Sequence, residues 1–355
     1  MCYNDDNRKK DRGGSKMKCV AISGTKSLVM KNMEVPVSKD GSVVIEVKSA
    51  GICGSDIHNW DMGGPVGLVM GHEFAGVVVD PGSRLDLEKG DRVTGLPISP
   101  CGKCEACRSG NVQYCADTWS EAVGLALTNP GAFAEYTSVR PDMVRKLPGN
   151  VSFDAGCMVE PSAVSLHAVN LANIKIGDDV LIVGGGIIGL MAAEFAKLAG
   201  AGYVAIVETN KKRGRKAVSY GKVNEYFDAL KEDTIPKLLT KTNGGFDVVI
   251  ECCGNAPAVT ESLMAVKPGG TVVLVGVSMV PVNIPLVMGV MKEVNLKGAI
   301  AYTAAEFDTV IKMIAEKRIN VTKYIDDLVP LERAQESFER LTNGKDSAVK
   351  IVFKP

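Results

Sequence analysis

Histidine and tryptophan are scarce in this chain of 355 residues, at three and two respectively, and neither charge sign is in excess, with 41 lysines and arginines against 41 aspartates and glutamates. Without a basic surplus or a block of like charges, a nucleic acid or an anionic membrane is not expected as a partner, and a small molecule is. A secretory h-region is missing from "MCYNDDNRKKDRGGSK", so residues 1–16 read as a disordered N-terminal extension and a cytoplasmic location is expected. The longest uncharged run, Val272 to Met291, is broken by Pro281, Asn283 and Pro285, which suits a buried strand and a loop better than a membrane span.

With so few histidines, their placement matters: His58 and His72 both fall in "AGICGSDIHNWDMGGPVGLVMGHEFAG", Ala50 to Gly76, together with Cys53, Ser55, Asp56 and Glu73. Cysteine is not scarce, at ten residues, but a chain of this length is no disulfide scaffold, and reduced thiols, some on metal, are expected. Cys157, Cys252 and Cys253 lie in apolar sequence and read as buried inert thiols.

The length predicts two domains. From Lys18 to about Val144, short β-rich runs such as "SVVIEVKSAGI" and "EFAGVVVDPG" alternate with Gly, Pro and Asp, the pattern of an antiparallel, barrel-like domain. From Ile176 onward, apolar strands alternate with amphipathic helices, the pattern of a parallel sheet covered on both faces. The final segment, "SAVKIVFKP", is again β-like and returns in this reading to the first domain.

Between strand "VLIV" and helix "IIGLMAAEFAKLAG" stand Gly184, Gly186 and Gly189, a G-x-G-x-x-G turn in the context that gives the motif its meaning. It predicts a dinucleotide whose pyrophosphate meets the helix N-terminus. Glu208 ends the next strand, where a carboxylate accepts ribose hydroxyls and repels a 2′-phosphate, so NAD is expected over NADP. "NKKRGRK", which follows, could soften that preference.

Cys101, Cys104, Cys107 and Cys115 form a C-x2-C-x2-C-x7-C loop that can close a thiolate tetrahedron round a structural zinc; the spacing does not match ferredoxin patterns. A catalytic zinc wants three protein ligands and an open position. Cys53 and His72 supply two, and the third falls between Glu73 and Glu160, the latter where the chain passes between the two domains.

In "GICGSDIH", "GHEFAGVV", the four-cysteine loop, "VEPSAVSLHA" and "VGGGIIGL", the chain resembles the zinc-dependent medium-chain alcohol and polyol dehydrogenases, the sorbitol, threonine and butanediol branch above all. The resemblance implies a GroES-like β-barrel catalytic domain of residues 17–160 and 300–355 around a Rossmann doubly wound domain of residues 161–299. It implies one catalytic and one structural zinc, a secondary alcohol or its ketone as substrate, and a homodimer or homotetramer. Residue by residue it makes Cys53 and His72 zinc ligands and leaves Glu73 and Glu160 on the metal or one step away. Asp56 orients the ligand histidine, Ser55 and His58 form a proton relay, and Ile188, Arg213, Val275 and Val277 touch the cofactor. His167 is expected as a packed core histidine. Trp60 and Trp119 are each expected either to wall the substrate pocket or to pack between domains. A non-catalytic binding protein on the same fold is the rival reading, against which stands the retention of Cys53, Ser55, His58, His72 and Glu160.

Overall fold

The computed structural model describes residues 15–355. Residues 1–14 of the expected extension lie outside the described residues, and Lys16 already pairs with Glu34 in the hairpin formed by Lys16–Gly24 and Ser27–Glu34.

The first body is a mixed sheet of seven strands. Asp327–Val329, Ile351–Phe353, Val43–Gly51, Glu73–Asp80, Arg92–Gly95 and Val144–Lys146 follow one another across it, and Tyr136–Val139 also pairs with Val43–Gly51. Strand Val43–Gly51 is mostly buried, with the helix Phe153–Cys157 packed against it and Val43, Ile45 and Ala50 fully buried, while Glu46 and Lys48 pair with each other where it is half-exposed. The last strand of the chain closes this sheet, with Val352 opposite Gly51 and Phe353 opposite Ala50. The C-terminus thereby becomes a neighbour of the segment that carries Cys53.

The second body is a six-stranded parallel sheet in the order Glu225–Asp228, Tyr203–Glu208, Asp179–Val183, Phe246–Glu251, Val266–Leu274, Asn295–Gly298. Its strands are continuous apolar runs, Val180 to Val183 being almost wholly buried, as helices on both faces require. Counted in chain order the sheet runs 3-2-1-4-5-6, so strand order reverses between Asp179–Val183 and Phe246–Glu251, and a crevice opens beyond the carboxyl ends of those two strands. The helix Val159–Ala172 leads from the first body to the second, with Glu160 in its first turn.

The run Val272 to Met291 departs from expectation at its end. After the strand Val266–Leu274 and a loop, a short exposed helix, Leu286–Met291, forms where a loop was expected. Pro285 takes the N-cap position, and the six residues after it hold no proline that would prevent a turn from closing. Among the described residues no helix is long and apolar enough to cross a membrane.

Candidate active site

Cys53 is the N-cap of the helix Gly54–Met62, and Asp56 in the first turn accepts a hydrogen bond from the Cys53 backbone N–H through Oδ2 at 2.9 Å. This box sets the Cys53 side chain at the N-terminus of the helix. The other oxygen of Asp56, fully buried, lies 3.6 Å from Nδ1 of His72. Nε2 of the same ring lies 3.5 Å from the Ser55 hydroxyl, on the cleft side.

His72 and Glu73 enter the strand Glu73–Asp80 side by side, both buried. A Cys53 sulphur, a His72 ring nitrogen and a Glu73 carboxylate oxygen lie within 4.8 Å of one another. Oε1 of Glu73 is buried and has no hydrogen-bond partner, the kind of orphan that a bound cation satisfies. The other oxygen, Oε2, accepts from the ammonium of Lys350, which also donates to the Ile52 carbonyl at 2.8 Å. Burial works against charge on Lys350, yet Glu73 and Cys53 raise its pKa and it stays an ammonium. His72 shows the same balance: burial opposes its charge, and Asp56 and Cys53 raise its pKa well above the ordinary value. The donor set, one thiol, one imidazole and one carboxylate, fits a zinc ion.

Glu160 is buried nearby, outside that ligand set, with Oε1 accepting from the Tyr302 hydroxyl at 3.0 Å. Burial pushes its carboxyl up to about 7, opposed by His72 and reinforced by Glu73. Cys53, Ser55, His58, His72 and Glu160 line one side of a cavity of about 800 Å³, and Ile188, Val275 and Val277 line the cofactor-domain side.

Toward the far end of the crevice, Gly184 has φ +105°, and a Cβ on Gly189 would stand 2.0 Å from the Gly184 carbonyl oxygen, so neither position admits a side chain. Gly186 caps the helix Ile187–Leu198 and faces open space, which suits a phosphate at the helix N-terminus. Glu208 accepts from the backbone N–H groups of Gly185 and Asn210, both at 2.8 Å. Arg213 reaches to 3.9 Å from the Glu208 carboxylate and donates to the Ala348 carbonyl at 2.9 Å.

Cys101, Cys104, Cys107 and Cys115 also converge, with Cys104 and Cys107 sulphurs 3.5 Å apart and those of Cys101 and Cys107 4.0 Å apart. Backbone N–H groups of Lys103 and Cys104 hold the Cys101 thiol down to about 6. The donor set fits a closed four-thiolate zinc site.

Two expectations are corrected or resolved by these positions. Cys253 is exposed and Cys252 only half-buried, because the strand Phe246–Glu251 ends before them and leaves both on the cleft wall. Of the two indoles, Trp119 lines the cleft, whereas Trp60 is buried against Phe338 with ring centroids 5.7 Å apart. His167 is buried and bonded through Nδ1 to Glu306 at 2.9 Å. Sequence reasoning missed Tyr302 and Lys350. The second left a trace: a lone lysine inside the apolar run "AVKIVF" is rarely buried without a partner.

Comparison with known proteins agrees with this geometry. Residues 39–149 match the alcohol dehydrogenase GroES-like domain and residues 188–316 the zinc-binding dehydrogenase domain. The chain belongs to the zinc-dependent medium-chain dehydrogenases, oxidoreductases that act on CH–OH groups with a nicotinamide cofactor. Within them it is similar to the sorbitol dehydrogenase of Bacillus subtilis (strain 168), at 31% identity over 96% of this chain and 97% of that one. It also resembles the crystal structure of 2R,3R-butanediol dehydrogenase from Bacillus subtilis, at 30% identity and TM-score 0.83, covering 96% of this chain and 99% of that one. A zinc-binding dehydrogenase from Sinorhizobium meliloti 1021 bound to NADP gives 31% identity and TM-score 0.86, covering 96% of this chain and 100% of that one.

Proposed function

We propose that this chain interconverts a secondary alcohol and its ketone at a zinc ion held by Cys53, His72 and Glu73, with Glu160 facing the open position and NAD as the preferred cofactor. The observation that carries the reading is the orphaned, buried Oε1 of Glu73 beside Cys53 and His72, at the mouth of the crevice where Ile188, Val275 and Val277 await a nicotinamide. Glu160 is the weaker candidate for third ligand because its Oε1 is engaged by Tyr302.

Zinc in this set supplies Lewis acidity, which lowers the pKa of a hydroxyl as it lowers that of water from 15.7 to roughly 7. Ser55 accepts the alcohol proton at Oγ. His58 sits three residues further along the same helix face and passes the proton toward solvent. Asp56 keeps the His72 ring oriented throughout.

NAD preference rests on Glu208, whose carboxylate, held by two backbone N–H groups at the end of its strand, would accept ribose hydroxyls and repel a 2′-phosphate. The four-cysteine loop is read as a structural zinc site. A homo-oligomer is part of the same reading: Leu286, Val287, Val290 and Met291 are exposed beside the edge strand Asn295–Gly298, whose outer side is unpaired among the described residues. No disulfide joins the cysteines among the described residues, which suits a reducing cytoplasm. The catalytic domain is taken as residues 17–160 and 300–355, and the cofactor domain as residues 161–299.

The test is oxidation of a panel of secondary alcohols with NAD and NADP, followed by absorbance of the reduced cofactor. Turnover that is lost in Cys53→Ala supports the reading; equal turnover in that variant contradicts it.

A further inference from the structure

The strand Phe246–Glu251 ends on a carboxylate that the chemistry at the zinc does not use. Glu251 is wholly buried, opposite Val183 on one neighbouring strand and Leu274 on the other. Oε1 accepts from the backbone N–H groups of Cys253 at 2.6 Å and Gly254 at 2.8 Å, and Oε2 has no hydrogen-bond partner among the described residues. The carbonyl oxygen of the same residue accepts from the N–H groups of Val275 at 2.8 Å and Gly276 at 3.1 Å. One residue thus holds two loops, 252–254 through its side chain and 275–277 through its main chain. Burial raises the carboxyl's pKa, and the N–H groups of Gly254, Cys253 and Gly276 oppose that shift.

The two loops are pressed together with no side chain between them. A Cβ on Gly276 would stand 2.0 Å from the Gly254 amide nitrogen, and one on Gly254, at φ +71°, would stand 2.7 Å from the Val277 carbonyl carbon. Cys252, Cys253, Val275, Gly276 and Val277 all line the cavity, so the fastened loops are its cofactor-domain wall. The first loop also reaches the glycine turn, because a Cβ on Gly184 would stand 2.6 Å from the Cys253 sulphur.

Resting on the cofactor seat proposed above, we infer that Glu251 is a positioning residue for the nicotinamide cofactor, its carboxylate fixing loop 252–254 against loop 275–277 so that the wall is formed before the cofactor arrives. Without that anchor the loop has to be ordered at the moment of binding, and the lost entropy subtracts from affinity. Glu251 lies outside both zinc donor sets and outside the cavity lining, so its loss falls on the cofactor and not on the alcohol. Glutamine keeps a carbonyl oxygen for the two N–H groups and removes only the charge; alanine removes the acceptor and leaves both N–H groups without a partner.

The test compares the zinc-loaded full chain with Glu251→Gln, Glu251→Ala and Glu251→Asp, the last of which withdraws the carboxylate by one methylene. Fluorescence titration reads the Kd of NADH, steady-state kinetics reads KM for NAD and for the secondary alcohol turned over fastest, and hydrogen exchange reads the Cys253 and Gly254 amides. Glu251→Ala and Glu251→Asp are expected to weaken NADH binding and raise KM for NAD by roughly tenfold, the effect of two lost hydrogen bonds to a carboxylate. KM for the alcohol at saturating NAD is expected to stay within about twofold, and the two amides to exchange faster in the cofactor-free variants. Glu251→Gln is expected to stay within about threefold of the unaltered chain in every reading. Unchanged NADH binding in a folded Ala or Asp variant, a Gln variant as impaired as Ala, an alcohol KM that rises with that of NAD, or failure of both Ala and Asp variants to fold overturns the inference. NADH binding that responds as expected in a protein without turnover leaves the inference standing and overturns the dehydrogenase reading alone. An unaltered chain that binds neither NADH nor NADPH overturns both.

Discussion

Lys350, close to the C-terminus, forms a fully buried ion pair with Glu73, a residue of the predicted zinc set, and neither side chain touches solvent. The pair locks the closing strand to the floor of the site. Removing the ammonium leaves Glu73 as a buried charge that only a metal can balance.

Lys350→Met is therefore expected to cost about 3 to 5 kcal/mol of stability, with a larger loss after chelation than with zinc bound. Chemical denaturation with and without chelator measures both. The double variant Lys350→Met with Glu73→Gln should recover part of that loss, because no charge is then left alone.

A second buried pair holds Tyr302 in register with Glu160. His167 lies on the same helix as Glu160, and Glu306 caps the helix that starts just after Tyr302. Burial alone would raise the Glu306 carboxyl, but hydrogen bonds from His167, the Thr303 backbone and Asn170 pull it down to about 2. A depressed carboxyl stabilises the fold above its ordinary pKa of 4.5, and that contribution is lost as pH falls from there toward 2. Glu306→Gln should be less stable at neutral pH and lose stability less steeply across that window, as read from denaturation curves at several pH values.

Cofactor choice gives the third prediction. With Glu208 intact, kcat/KM for NAD should exceed that for NADP by about tenfold or more, and Glu208→Ala should narrow the ratio chiefly by raising the NADP rate. Steady-state kinetics with both cofactors at one ionic strength measure it.

The four-cysteine loop gives the fourth. Cys104→Ser should lose one zinc per chain and make residues 101–115 the first point of proteolytic cleavage, because a short loop whose ligands no longer close on a metal has little else to order it. Metal analysis and limited proteolysis check the two parts.

How far the site could be read in the sequence depended on how local its chemistry is. Cys53, Ser55, Asp56, His58 and His72 announce themselves because a helix N-cap, its first turn and a following strand place them within one short stretch. The glycine turn was equally legible, since tight backbone approach leaves no other residue type. Tyr302 and Lys350 were not, because their partners lie 142 and 277 residues away in sequence, and only the closure of the first sheet by the last strand brings Lys350 under Glu73. The ends of strands were also hard to read. Cys252 and Cys253 continue the apolar texture of "FDVVIE", yet the sheet stops at Glu251 and leaves them on the cleft wall. The two tryptophans have similar polar neighbours in sequence, and only the packing of Trp60 on Phe338 separates the core indole from the one that lines the cavity.

Zinc content measured alongside turnover decides whether Cys53 holds a catalytic ion. The unaltered protein should hold about two zinc ions per chain and Cys53→Ala about one, with alcohol oxidation abolished and the Cys101 to Cys115 site still filled. A Cys53→Ala protein that keeps both ions and its activity would contradict that role.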